Sequence, residues 1–235
     1  MPTFYRFAAQ TPNLYWLVTG ASMVVAGMPT LWTTLDLLVA SLFVESAASV
    51  SAKSWWWVEL INAYVPAVFR GFVLIALVLW LVVTLGRHGK QWRLPLAFVV
   101  LAGAVGPGLV VNSVFKDHWQ RARPYQVENF GGTQKFTRAA VMTDQCDNNC
   151  SFVSGHVACG VFLASLMLVL RRRRLWAAIG MLSGAVIGFA RMADNAHWLS
   201  DVLWAYPITL LCSWMVWRVL LNIYPVHPEP SDSAI

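Results

Sequence analysis

Residues 94–124 read LPLAFVVLAGAVGPGLVVNSVFKDHWQRARP, and this stretch decides the fold. Its first part, residues 94–115, carries no charged side chain and is as long as the roughly 20 residues that a helix needs to cross the hydrocarbon of a bilayer. A cation-rich cluster, KDHWQRARP at 116–124, follows at once. The stretch therefore predicts a membrane-spanning helix that ends in a charged segment at one membrane surface.

The rest of the chain repeats this contrast between apolar and polar segments. Of its 235 residues 58% are hydrophobic and only 12% are charged, whereas soluble domains have roughly 25% charged residues. Five more stretches are uncharged or nearly so: 12–30, 71–86, 157–170, 175–190 and 202–217. We therefore predict an all-α fold, an integral membrane bundle of about six transmembrane helices. The bundle occupies 1–222 as one domain, and 223–235 form a short cytoplasmic tail.

Basic residues fall between alternate predicted helices and indicate the orientation. They are Arg6, Arg87, Lys90, Arg93, the run from Arg171 to Arg174, and Arg218. The positive-inside rule makes their side cytoplasmic, which places both termini in the cytoplasm. These basic runs lie in short predicted loops at the bilayer, and we interpret them as residues that fix the orientation of the helices. The net charge of +6 therefore does not indicate nucleic-acid binding.

Two more polar clusters, SFVSGH at 151–156 and RMADNAHWLSD at 191–201, join the cluster at 116–124 on the opposite, outer face if the helices alternate. Among their side chains are four cations, the histidines His156 and His197, and the carboxylate of Asp201, without a thiolate or acidic cluster that would hold a metal. Metal-free phosphoryl transfer needs these groups. We therefore predict an outer-face active site that uses no metal and no cofactor.

The spacing of His197 and Asp201 predicts their roles. Residues four apart share one face of a helical turn, so the carboxylate of Asp201 can bond one ring nitrogen of His197 and leave the other free to attack. His197 is then the nucleophile of a phosphohistidine mechanism. His156, at the start of a predicted helix, serves as general acid toward the leaving oxygen and then as general base for water.

A phosphate ester also needs donors that neutralise its oxygens. The predicted phosphate-binding groups are three cations, one hydroxyl and one backbone N–H, namely Lys116, Arg123, Ser154, Gly155 and Arg191. The planar fork of arginine suits two phosphate oxygens at once, and a glycine before a helix start lets backbone donors approach an anion. Arg121 is interpreted as a solvated loop charge.

The three clusters resemble the motifs of the type 2 phosphatidic acid phosphatase (PAP2) superfamily, which run KxxxxxxRP, PSGH and SRxxxxxHxxxD. Segment 116–124 fits the first motif at its full spacing. Segment 154–156 fits the second, with Val153 where proline is usual, and 191–201 fits the third, with Ala190 where serine is usual. The resemblance implies a metal-independent phosphatase in which the third-motif histidine is the nucleophile and the second-motif histidine is the acid and base. Neither departure removes a proton-transfer group.

A site that opens at the outer leaflet implies an amphiphilic lipid substrate in a bacterial inner membrane, with the active site in the periplasm. The stretch CDNNCSFVSGH at 146–156 resembles the lipid A phosphatase branch, so the 1- or 4′-phosphate of lipid A is the favoured substrate. Undecaprenyl diphosphate, phosphatidylglycerophosphate and phosphatidic acid remain alternatives. So do phosphotransfer to an acceptor lipid and a lipid-binding protein without turnover, although binding alone would need only cations. The sequence leaves the oligomeric state open.

Two further expectations concern segments outside the motifs. Cys146 and Cys150 lie in the predicted outer loop, in a compartment that permits disulfides, so we predict that they are bonded. Residues 31–70 combine a short apolar run, a polar patch and three consecutive tryptophans, and they are predicted to form a re-entrant or surface-lying helix on the outer side.

Overall fold

A computed structural model describes residues 12–44 and 54–224, and within these two ranges the named elements are all helices, without a β-strand. The helices are α1 Asn13–Leu31, α2 Thr34–Val44, α3 Trp56–Leu85, α4 Arg93–Gly103, α5 Lys116–Trp119, α6 Gly155–Ser165, α7 Arg173–Ala193 and α8 Leu199–Ile223. Among the described residues, five helical segments are long and apolar enough to cross a membrane: α1, α3, the segment Lys90–Gln126 that includes α4 and α5, α7 and α8. The predicted all-α membrane bundle is confirmed, with five such segments among the described residues where about six were predicted. The predicted stretch 157–170 falls in a shorter apolar helix, Gly155–Leu168.

The segment between α4 and α5 is a π-helix, Ala104–Phe115, which contains Pro107. Proline lacks the N–H that an α-helix would use, and π-helical turns are one way in which a long helix accommodates such a break. The side chain of Asn112 donates to the carbonyl oxygen of Pro107 at 2.7 Å. The helix therefore continues without interruption to Lys116, the first residue of the 116–124 cluster.

Helix α3 begins at Trp56, earlier than the sequence predicted. Three polar side chains, Glu59, Asn62 and Arg70, interrupt its first half, so the uncharged stretch was recognised only from residue 71 onward. Because every backbone group of a helix is satisfied internally, a few polar side chains do not end it in a membrane.

The prediction of one re-entrant or surface-lying helix over 31–70 is therefore wrong for 56–70, which belong to a helix long enough to cross a membrane. For the short helix α2 it stays a prediction. The range 31–70 holds the last residue of α1, all of α2 and the first half of α3, while 45–53 lie outside the described residues. Most of the predicted tail 223–235 lies outside them as well.

Helix α6 is short and central. It runs on into a 3₁₀ turn at Leu166–Leu168, and most of its residues are buried among other helices. Helix α7 packs closely against it at Gly180, which has no side chain. A Cβ added at this position would lie only 2.1 Å from the backbone nitrogen of Ala164. Small residues at such contacts let two membrane helices approach backbone to backbone. The close packing fixes the start of α6 relative to the end of α7.

The two ends of the bundle differ in charge. At one end, Arg93 caps α3 by donating to the carbonyl oxygens of Val83 at 3.1 Å and Thr84 at 2.8 Å. The basic run 171–174, which joins the 3₁₀ turn to α7, follows alternate helices to that same end. The other end carries the loop after α5, the start of α6 and the connection between α7 and α8. All three polar clusters thus meet at one end of the molecule.

Candidate active site

His197 lies in the connection between α7 and α8, two residues before α8 begins at Leu199, so the predicted helical turn through His197 and Asp201 is wrong. The two side chains still meet. Asp201 is in the first turn of α8, and its Oδ2 accepts a hydrogen bond from the backbone N–H of Trp198 at 2.9 Å. This capping arrangement leaves the Nδ1 atom of His197 3.6 Å from Oδ2. Capping therefore brings the carboxylate to the imidazole.

The environment of His197 favours an uncharged ring. The side chain is only 2% exposed, and burial, followed by the positive charges of Arg123, Arg191 and Lys116, lowers its pKa well below the ordinary value of 6.5. The imidazole is therefore neutral at neutral pH, which is the form that can act as a nucleophile.

His156 occupies the first turn of α6, as predicted, and faces α3. Its Nε2 atom lies 3.2 Å from the carbonyl oxygen of Asn62. The side-chain oxygen of the same asparagine accepts a hydrogen bond from Nη1 of Arg191 at 2.8 Å. Asn62 thus links His156 to Arg191, a role that the sequence analysis missed. A polar side chain within an otherwise apolar helix was the available signal.

Lys116 and Arg123 share one partner. Lys116 donates to Oδ1 of Asn149 at 2.8 Å, while Nε and Nη2 of Arg123 donate to the carbonyl oxygen of Asn149 at 3.1 and 2.7 Å. Nη1 of Arg123 also donates to the carbonyl oxygen of Ala196 at 3.3 Å, next to His197. These acceptors are neutral, so the hydrogen bonds orient both cations without cancelling their charge.

Asn149 is held in a small covalent loop. The structure joins Cys146 to Cys150 by a disulfide, and Asn149 lies between them with a φ angle of 48°, in the left-handed region that asparagine tolerates better than most residues. The other two cysteines, Cys159 and Cys212, are free. The disulfide loop therefore carries the residue that orients two predicted phosphate ligands.

Ser154 and Gly155 form the start of α6. Ser154 is the N-cap residue, and its Oγ is buried without a hydrogen-bond partner in the part of the chain that the structure describes; the same holds for Nε of Arg191. A buried polar atom without a partner carries a desolvation cost, so both atoms are candidate contacts for a bound anion. Packing leaves no room for a side chain at Gly155, because an added Cβ would lie 2.6 Å from Oδ1 of Asn112.

An open pocket of about 420 Å³ lies between the loop after α5 and the connection from α7 to α8. Its lining residues are Arg123, Tyr125, Arg191, Asp194, Asn195 and Ala196. Two of the predicted phosphate ligands thus face one cavity, beside the segment that carries His197. The predicted ligand Lys116 is an electrostatic neighbour of both of these arginines. The arrangement can bind an anion next to an uncharged imidazole.

Arg121 is not the solvated loop charge that the sequence suggested. Its side chain is fully buried, with Nη1 2.6 Å from Oδ1 of Asp201 and Nη2 2.8 Å from Oδ2 of Asp36. Asp36 was not predicted from the sequence, because this carboxylate lies in α2, far from every motif along the chain. Its only signal was a single acid in the apolar run TLDLLVASLFV at 34–44.

The three polar clusters lie within a segment that is similar to known proteins. The family model of the PAP2 superfamily matches residues 94–225. Three similar proteins are named lipid A 4′-phosphatase. The one from Francisella tularensis subsp. novicida is 38% identical over 133 residues, which cover 55% of this chain and 60% of that protein. The one from Rhizobium leguminosarum is 36% identical over 137 residues, 56% of this chain and 55% of that protein.

The third, from Rhizobium etli, is 33% identical over 159 residues, 63% of this chain and 59% of that protein. The chain therefore spans less than two thirds of the length of each of these relatives. No solved structure matches the chain. The family model covers more than half of the chain and includes all three polar clusters that form the pocket and its surroundings, and on these grounds the chain belongs to the PAP2 superfamily.

Proposed function

We propose that the protein is a metal-independent lipid phosphatase that removes a phosphate from lipid A by way of a phosphohistidine. The observation that carries this proposal is the meeting of Arg123 and Arg191 at one pocket with the neutral His197 beside them. Oriented cations that keep their charge bind the oxygens of a phosphate ester, and they stabilise the additional charge that develops on those oxygens during transfer.

The proposed reaction has two steps. The ring nitrogen of His197 that does not face Asp201 attacks phosphorus, so an N–P bond forms while the P–O bond to the lipid breaks. Burial and the charge of Arg191 lower the pKa of His156 to about 4. The negative charge of a bound phosphate opposes that shift, so His156 takes up a proton from solvent when the lipid binds and gives it to the departing oxygen. His156 then takes a proton from water, which attacks the same phosphorus, releases inorganic phosphate and regenerates the imidazole. Lys116, Arg123, Arg191, Ser154 and the N–H of Gly155 are the proposed phosphate ligands in both steps.

Two observations favour a lipid as the substrate. The three relatives carry the name lipid A 4′-phosphatase, which makes the 4′-phosphate the first candidate. In addition, an apolar groove of about 550 Å³ runs between α3, α6 and α7, lined among others by Leu60, Ile61, Leu163 and Ile187. Leu60 and Ile61 directly precede Asn62, which contacts His156. An acyl chain in this groove would leave the phosphate of its lipid at the site.

The charge difference between the two ends supports the orientation. With the basic ends of the helices in the cytoplasm, the site opens at the periplasmic face of the inner membrane. A membrane-impermeant maleimide tests this in intact spheroplasts of a variant that lacks Cys159 and Cys212. A cysteine placed at the exposed Lys135 should react from outside, and one at the exposed Arg171 should react only after lysis. The reverse pattern would contradict the orientation.

The decisive experiment measures phosphate release by purified protein in detergent with a chelator present. The lipids are lipid A, undecaprenyl diphosphate, phosphatidylglycerophosphate and phosphatidic acid. We expect release from lipid A, and we expect His197→Ala to lower the rate by about 10³-fold or more while the protein stays folded.

The matched control is His118→Ala, which removes an exposed histidine of the same end whose Nδ1 lies 2.8 Å from the carbonyl oxygen of Val114. This variant should keep the full rate. Release that persists in His197→Ala would refute the phosphohistidine, and preference for another lipid of the panel would refute the proposed substrate.

A further inference from the structure

We infer that Asp36 and Arg121 are positioning residues for His197, and that together with Asp201 they form a buried charge cluster which keeps one net negative charge beside the imidazole. This inference rests on the proposed function, because it assigns the support of the same nucleophile. Neither residue belongs to the three motifs, and Asp36 lies outside the segment that the family model matches.

Arg121 is the centre of the cluster. Its guanidinium donates four hydrogen bonds: from Nε to the carbonyl oxygen of Thr137, from Nη1 to Ser200 and Asp201, and from Nη2 to Asp36. It also lies over the ring of Trp198 at 5.3 Å. A planar cation with so many fixed partners is suited to holding two carboxylates at a defined separation.

Asp36 holds the first turn of α8 from another helix. Its Oδ1 accepts the backbone N–H of Ser200 at 2.8 Å, and its Oδ2 accepts the hydroxyl of Ser200 at 2.5 Å. The first N–H groups of a helix have no partner within the helix, so a carboxylate from elsewhere can satisfy them. The start of α8, and with it the adjoining His197, is therefore fixed to α2.

Asp201 completes the same arrangement from within α8. Its Oδ1 accepts from Arg121, and its Oδ2 accepts from Trp198 and from the hydroxyl of Ser151. The carboxylate is thus immobilised on three sides, 3.6 Å from the Nδ1 atom of His197. Its position relative to the imidazole is set by partners that do not touch the substrate.

The charges of the cluster decide what Asp201 can do. With Arg121 as its only ionic neighbour, Asp201 would belong to a neutral pair and would attract a positive imidazole weakly. Asp36 supplies a second carboxylate in the same fully buried place. Burial raises its pKa, and the charge of Arg121, whose Nη2 lies 2.8 Å from its Oδ2, opposes that shift. We infer that the contact with Arg121 keeps Asp36 ionised, so that two negative charges face one positive charge. The remaining negative charge can stabilise the positive charge that His197 acquires when its other nitrogen bonds to phosphorus. Charges interact strongly where water is excluded.

The test compares Asp36→Asn with the double variant Asp36→Asn/Arg121→Gln. The single change makes the cluster neutral, and we expect kcat to fall about 10- to 100-fold while KM and inhibition by vanadate stay as they were. The double change restores one net negative charge, and we expect it to recover at least part of the lost kcat. The matched control is Glu128→Gln, an exposed carboxylate of the outer loop, which should change neither constant.

A purely structural role gives the opposite result, because removing two members of a packed network then lowers kcat more than removing one. A double variant that is slower than Asp36→Asn, or a single variant that loses vanadate affinity together with kcat, overturns the inference. If Asp36→Asn does not fold, Ser200→Ala, which keeps all three charges but removes one bridging hydroxyl, should lower kcat by a smaller factor at constant KM. An unchanged kcat in that variant would also count against the cluster.

A second readout needs no substrate and separates this inference from the proposed function. The imidazole ¹⁵N signals of His197, assigned by their loss in His197→Ala, report which ring nitrogen carries the proton. We expect a single form protonated at Nδ1 in the parent protein and a mixture in Asp36→Asn. The same tautomer in both proteins refutes the cluster even if lipid A proves not to be the substrate. Failure of lipid A hydrolysis with the expected spectra refutes only the proposed function.

Discussion

Arg121 and Arg123 are two residues apart, and the structure gives them opposite environments. Arg121 is completely buried and faces two carboxylates, those of Asp36 and Asp201. Arg123 is 7% exposed, donates to the carbonyl oxygens of Asn149 and Ala196, and lines the open pocket. The first arginine is part of the scaffold, whereas the second has a charge available to a ligand.

The difference shows that the type of acceptor, more than burial, distinguishes a structural cation from a binding cation. Carboxylates neutralise a guanidinium, while carbonyl oxygens orient it and leave its charge in place. Arg191 follows the second pattern through the side-chain oxygen of Asn62, although Asp194 lies 3.4 Å away at its edge. A phosphate that enters the pocket therefore meets cations that are already oriented.

The largest difference that we expect between variants of Arg121 and Arg123 is in the stability of the fold. Arg121→Ala leaves two buried carboxylates without their common cation, and a broken buried ion pair costs about 3–5 kcal/mol. We expect a strongly lowered melting temperature in detergent and a poor yield of folded protein. Arg123→Ala, the matched change, should fold with nearly the parent melting temperature and lose lipid hydrolysis instead. Equal melting temperatures for the two variants would remove the distinction.

A smaller effect concerns pH. Neutral His197 is the reactive form, so activity falls as the pH drops through its pKa, and the depressed pKa places that loss below pH 6.5. A nearby cation disfavours the imidazolium, so Arg123→Gln should raise the pKa of His197 and move the acid limb of kcat/KM to higher pH. The measurement is the pH profile of both proteins from about pH 5 to pH 8. Coincident acid limbs would show that Arg123 does not act on the imidazole.

The smallest expected effect concerns how the binding cations are oriented. Asn149→Gly keeps the left-handed backbone and the carbonyl that holds Arg123, and it removes only the acceptor of Lys116. One lost hydrogen bond of this kind corresponds to roughly a few-fold change in an equilibrium. We expect KM for the lipid to rise by about that factor, with kcat retained. A large loss of kcat would mean that Lys116 takes part in the chemical step.

The sequence was a good guide wherever the relevant neighbours are close along the chain. The uncharged stretch at 94–115 predicted a spanning helix, and the structure has one there. The motif spacing selected Arg123 and Arg191, which line one pocket. Periodicity and spacing are local properties, so they identify helices and the residues that follow them.

The sequence was a poor guide where the relevant neighbours are distant. Arg121 was judged from its loop, but its partner Asp36 is 85 positions away, and a single sequence contains no signal for that pairing. His197 was placed on a helical turn because of its spacing to Asp201, whereas the contact arises because the carboxylate of Asp201 accepts the backbone N–H of Trp198. Several backbone geometries satisfy the same spacing, and tertiary contacts select among them.

The contacts that hold Asp36 also set a limit on protein engineering. The family match begins at residue 94, yet the hydroxyl of Tyr15 donates to the carbonyl of Leu210, Asp36 binds Ser200 and Asn62 binds Arg191. A shortened version that starts at the family boundary would lose all three anchors. A chimera that takes its first third from a relative would need matching side chains at these positions. The smallest unit that can be transplanted is thus larger than the segment by which the family is recognised.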